Sequence, residues 1–127
     1  MSGDRSGVID RSVPKEWISE RARQFAKAFK KDKEWWEQYF FTDKLSSVNH
    51  LIGELKLNKK KMQAMKKVVD FLLTDIYYHI LRGLDGSESI GATQTMYKIY
   101  DEDNNLISDC GDLEAAAYEV FYGQEDD

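Results

Sequence analysis

A chain of 127 residues has room for one domain around a single core, and its 42% hydrophobic and 32% charged residues exclude wholesale disorder. The formal net charge of -5 argues against general nucleic-acid binding, because neutralising phosphate needs clustered Lys and Arg. A lone cysteine, Cys110, excludes an intrachain disulfide framework and a multi-cysteine zinc site, and no apolar stretch is long enough to span a bilayer.

Residues 1–12 are polar, with three Ser and two Gly and no apolar period, and read as a flexible arm. They hold no signal-peptide core, which makes a cytoplasmic protein the expectation. Residues 13–123 read as one globular domain and 124–127 as a solvated acidic tail. Ser12 and Pro14 form a plausible helix start. From there Ile18, Ala22, Phe25, Phe29, Trp36 and Phe40 recur at helical spacing, interrupted at Asp32 and Lys33: the pattern fits one helix over 14–41 or two meeting near Asp32, and one is favoured because no Gly or Pro punctuates it.

Thr42 or Asp43 is the expected cap of a shorter second helix carrying Leu45, Val48, Ile52 and Leu55, weakened by Gly53. Asn58 is the expected cap of the third, whose stripe is Met62, Met65, Val69, Leu72, Ile76 and Ile80. It should end between Arg82 and Gly86. This helix contains the most hydrophobic segment of the chain, 68–82, and is expected to be the central core helix. After a loop over 86–91 the period changes to two: Thr95, Tyr97 and Ile99 alternate with Gln94, Met96, Lys98 and Tyr100, predicting a strand. Residues 101–105 are turn chemistry, 106–108 a return strand, and Asp112 the expected cap of a last helix ending at Gly123. The fold class is therefore α+β and predominantly helical: three N-terminal helices, one antiparallel β-hairpin and one C-terminal helix.

Four groups of residues bear on function. Asp75, His79 and Arg82, spaced by four and three, fall along one side of the third helix. The acid can orient the imidazole, the guanidinium can recognise an anion, and Phe71 and Tyr78 can wall a small pocket under the 86–91 loop. The commoner reading of such a row is a half-exposed helix edge. Trp35, Trp36, Tyr39 and Phe40 form a dense aromatic patch and are the interface candidates. Adjacent tryptophans point about 100° apart on a helix, so both need not enter one core. Lys59, Lys60, Lys61, Lys66 and Lys67 make a basic patch at the start of the third helix, a run that usually marks a solvated face. Residues 101–112 invite comparison with a calcium loop. Leu106 stands where that loop needs Gly, and Asp112 where it needs Glu, so a hairpin turn is expected instead.

Cys110 reads as an incidental thiol, and no cofactor or metal is implied. The chain has no Walker loop, Gly-rich dinucleotide turn, HExxH or nucleophile elbow, which favours a non-enzymatic protein while leaving catalysis open. The functional expectation is a small soluble protein-interaction module, regulatory or immunity-type, with a protein partner or a homo-oligomer and no membrane role. One alternative is a small enzyme or ligand-binding protein using an Asp75/His79/Arg82 cleft. Another, less favoured, is a weak nucleic-acid binder using the lysine patch.

Overall fold

The computed structural model describes residues 18–109 and 111–123. The arm 1–12, Pro14, Cys110 and the tail 124–127 lie outside the described residues. Among the latter the fold is predominantly helical α+β, with four helices and a two-stranded antiparallel sheet.

The first helix, α1 (Glu20–Thr42), starts later than the spacing predicts. Ser19 is non-helical, and its hydroxyl accepts from the Ala22 amide at 3.3 Å, satisfying a first-turn N–H that has no partner inside the helix. From Glu20 the helix continues through Asp32, as its lack of Gly and Pro implies. The cap of α2 (Ser47–Glu54) is neither Thr42 nor Asp43 but Ser46, which accepts from the Asn49 amide at 3.1 Å. Thr42 instead donates back to the Gln38 carbonyl at 2.7 Å, and Asp43 accepts from the Leu45 amide at 2.8 Å. Thr42 is thus spent inside the last turn of α1, and Asp43 on the turn that follows it. Asn58 caps α3 (Lys59–Leu84) as expected, accepting from the Lys61 amide at 2.8 Å.

Beyond α3 the hairpin is shorter than the alternation predicts. β1 (Ile99–Tyr100) pairs with β2 (Leu106–Ser108), Ile99 opposite Ser108 and Tyr100 opposite Leu106, with an irregular register between the pairs. Residues 94–98 are tied instead to the end of α3. The Tyr97 amide donates to the Leu84 carbonyl at 3.0 Å, and the Gln94 side chain donates to the Gly86 carbonyl at 2.9 Å. The 101–105 segment is the expected turn: Asp101 accepts from the amides of Asp103 and Asn105, both at 2.9 Å.

The last helix, α4 (Asp112–Tyr122), begins after Gly111, whose φ of 86° is the left-handed conformation natural to glycine. Asp112 is not its cap; a carboxylate from elsewhere in the fold, Asp85, takes that role.

The core is small and rich in alanine. Ile18, just before α1, and Ala22 and Ala26 within it meet Leu113, Ala116, Ala117 and Val120 of α4 and Leu81 of α3, with Phe25, Phe29, Tyr78, Ile99 and Phe121 around them. Alanine at the crossing lets α1 and α4 approach closely, so the heart of the molecule lies between these two helices. That corrects the expectation for α3. Met62, Met65 and Val69 of its predicted stripe are half-buried, but Leu72, Ile76 and Ile80 face outward. The side turned to α1 and α4 carries Asp70, Leu73, Thr74, Tyr77, Tyr78 and Leu81.

Candidate functional site

At about 100° per residue, Val68, Phe71, Leu72, Asp75, Ile76, His79 and Ile80 fall within one half of the α3 circumference. All seven are exposed. Their apolar members run from 36% (Ile80) to 66% (Phe71) accessible. Ala64, one turn before Val68, is exposed as well. A polar solvated face is the ordinary complement of a packed helical face. Here the outer side is apolar, and Asp75 and His79 sit within it.

The three polar residues singled out by their spacing do not act together. His79 and Arg82 converge on Glu88, which the 86–98 segment carries back over the end of α3. The His79 imidazole Nδ1 is hydrogen-bonded to one Glu88 carboxylate oxygen, and Arg82 Nη1 donates to the other at 2.5 Å. Arg82 Nε also lies 3.5 Å from the carboxylate of buried Glu114 on α4, and its guanidinium stands 5.6 Å from the centre of the Tyr78 ring. Glu88 has no place in the predicted row, because loop closure brings it in from nine positions beyond His79. Ile90 reinforces this docking by packing over Gly83, where an added Cβ would meet its Cγ1 at 2.4 Å. Asp75 takes no part in the Glu88 cluster; the pKa of Tyr122 on α4 is raised by that tyrosine's own burial and, secondarily, by the charge of Asp75. Nor do Phe71 and Tyr78 share a pocket. Phe71 projects into solvent, whereas Tyr78 packs edge-on against Tyr122 with ring centres 5.0 Å apart.

The aromatic patch forms one connected cluster on α1. Trp35 stacks on Tyr39 at 5.1 Å and meets Trp36 edge-on at 4.9 Å; Trp36 continues to Phe40 at 5.6 Å. Both tryptophans are exposed, Trp35 at 56% and Trp36 at 37%, while Tyr39 and Phe40 are half-buried.

A cleft of about 600 Å³ opens between α1 and α3, lined by Glu34, Glu37, Gln38, Phe41, Thr42, Lys66, Lys67 and Asp70. Asp75, His79 and Arg82 are not among its walls. Two of its lining carboxylates, Asp70 and Glu37, pair with Lys33, only 6% exposed, at 2.6 Å and 3.1 Å. Lys33 holds the Asp70 pKa below the usual carboxylate value, while burial and the adjacent Asp70 push Glu37 above it. Lys66 and Lys67 therefore face carboxylates across the cleft, and Lys66 also lies 5.7 Å from the centre of the Phe41 ring. Lys59, Lys60 and Lys61 are exposed at the start of α3.

Among the described residues, no group of three or more His, Cys, Asp or Glu is placed to hold a metal ion, and no helix is long and apolar enough to cross a membrane. Comparison with protein-family models, with curated proteins and with solved structures gave no match.

Proposed function

We propose that this chain is a protein-interaction module and that the outer face of α3 is its docking surface. One observation carries the reading: Val68, Phe71, Leu72, Ile76 and Ile80 are all exposed along one face of a helix whose other side is already packed. Large apolar side chains gathered in one exposed patch mark association sites, whereas singly scattered ones do not. The Trp35–Trp36–Tyr39 cluster offers a second set of anchors of the type enriched where binding energy concentrates. In contrast, His79 and Arg82 have a structural use, holding the 86–98 segment on α3, which weakens the reading of that row as a catalytic cleft.

A photo-crosslinking side chain placed at position 72 or 76, and at Gln63 for comparison, tests the assignment. Product of discrete mass should form at 72 and 76 and fall to background at 63. Equal background at all three positions would refute docking through α3.

A further inference from the structure

We propose that the cleft between α1 and α3 is a binding site for a small zwitterion of dipeptide length, with a free ammonium at one end and a free carboxylate at the other. Such a site is separate from the outer face of α3 and does not depend on docking there.

The cleft has a volume of about 600 Å³. Ordinary small-molecule sites fall between about 300 and 1,000 Å³. Its α1 wall runs from Glu34 to Thr42 through Gln38 and Phe41, residues that recur at helical spacing along one side. At 1.5 Å per residue that wall is about 12 Å long. An extended dipeptide spans about 7 Å and fits, whereas a tetrapeptide, at about 14 Å, would overrun it.

Charge is sorted along the cleft. Lys33 of α1 pairs with Asp70 of α3, and Lys66 of α3 lies over Phe41 of α1, so the two helices run antiparallel and each end has its own residues. One end holds the carboxylates of Glu34, Glu37 and Asp70. The buried ammonium of Lys33 already engages Glu37 and Asp70, and the charge of Lys30, outside the lining, also reaches Asp70. Glu34 has no hydrogen-bond or ion-pair partner among the described residues, which leaves it as the acid open to a ligand. At the other end Lys66 and Lys67 stand beside Phe41 and Thr42, with no lining acid. Lys67 has no ion-pair partner among the described residues either, and Lys66 has only the Phe41 ring.

Ends of opposite sign that do not meet favour a ligand carrying both charges. A simple anion reaching both ends would meet Glu34, and a simple amine would meet the two lysines; like charges brought together in a cleft are unfavourable. A zwitterion laid lengthwise sets its ammonium against Glu34 and its carboxylate against Lys66 and Lys67 as charge-assisted contacts. An apolar side chain next to that carboxylate then rests on the Phe41 ring. The Lys33–Asp70 pair ties the two walls together, so the cleft is formed before the ligand arrives.

Titration of the full chain with the dipeptide alanylphenylalanine, followed by calorimetry and amide NMR, tests this. Binding should saturate and shift the amide resonances of residues 34–42 and 66–70. The N-acetylated dipeptide, the C-terminally amidated dipeptide and free phenylalanine each lose one end of the contact. Each should bind at least about tenfold more weakly, the worth of one charged hydrogen bond. Glu34→Gln should weaken the unmodified dipeptide by a similar factor and leave the N-acetylated form unchanged. Replacing Lys66 and Lys67 together by Gln should weaken the unmodified dipeptide and leave the amidated form unchanged. All three positions are exposed, and circular dichroism identical to that of the parent chain verifies that the variants fold. Absence of saturable binding, capped forms that bind as tightly as the free dipeptide, or shifts confined to residues 71–80 would overturn the proposal. So would variants that weaken every probe by the same factor.

Discussion

Asp85 closes the N-terminus of α4 across 26 positions of sequence, its carboxylate accepting from the Gly111 amide at 2.7 Å. The other carboxylate oxygen accepts from the Glu114 amide at 3.0 Å. A single buried side chain at the end of α3 thus supplies what Gly111, lacking a side chain, cannot. The carboxylate also stands at the positive end of the α4 dipole.

Asp85→Ala is therefore expected to cost about 2 kcal/mol, the range for losing a cap and leaving buried amides unpaired. Asp112→Ala should cost clearly less, since its carboxylate reaches only the Asp109 amide, at 3.5 Å. Urea unfolding of the two variants measures the difference. Equal losses would return the capping role to Asp112.

Lys33 is the buried cation between two carboxylates, and Lys33→Met should lower stability at neutral pH by about 2 kcal/mol. The magnitude is less than for a fully buried pair, because the Asp70 side chain is 46% exposed and screened by water. The pH dependence has a definite sign. The folded-state pKa of Asp70 is lowered by Lys33, so its contribution is present above the unfolded carboxylate pKa and is lost as the pH falls through the folded one. Glu37 acts oppositely: burial and Asp70 raise its pKa, so its ionisation erodes stability as the pH rises through that range. In Asp70→Asn the acid-side loss should shrink, as read from thermal midpoints between pH 3 and 7.

Tyr77 links α3 to α1 by donating its hydroxyl to Asp32 at 2.7 Å, and burial together with that carboxylate pushes its pKa to about 12. A tyrosinate absorbance titration should contain a step near pH 12, and Tyr77→Phe should remove it. Because the folded value exceeds the unfolded one of about 10, the contribution is complete below pH 10 and is lost as the pH climbs toward 12. A titration complete by pH 11 would contradict the Tyr77–Asp32 contact.

Gly83 sits inside a helix, where replacement by Ala ordinarily stabilises by about 1 kcal/mol. Here the new Cβ would meet Ile90 Cγ1 at 2.4 Å, so Gly83→Ala should destabilise and loosen the 86–98 segment. Faster amide exchange in that segment, largely restored when Ile90→Ala is combined with Gly83→Ala, is the expected result. A simple stabilisation would mean that Ile90 swings aside without cost.

Much of the secondary structure is legible locally. Asn58 is a cap by chemistry alone, the uninterrupted run past Asp32 keeps α1 whole, and the aspartates and asparagines of 101–105 make a turn. Caps that depend on chain reversal are not legible in this way. Ser46 displaces Thr42 and Asp43 because those two are consumed in the last turn of α1 and the turn after it, and Asp85 displaces Asp112 because folding delivers a carboxylate to the left-handed Gly111. The alternation over 94–100 reads as a strand, yet the return strand is only three residues long and the end of α3 claims Tyr97. Of the candidate site, helical spacing relates Asp75, His79 and Arg82 within α3 but cannot reveal Glu88, the residue on which His79 and Arg82 converge.

The sequence by itself determined that α3 is a helix, where it begins, and that it carries more apolar side chains than one packed face needs. Only the tertiary structure decided which of those faces is covered. The alanines of α1 and α4 allow those two helices to close on each other, leaving α3 to join them through Leu81, Tyr77 and Tyr78. Leu72, Ile76 and Phe71 are consequently turned outward. Periodicity reports which residues share a side of a helix; what lies against that side depends on how closely the other helices approach.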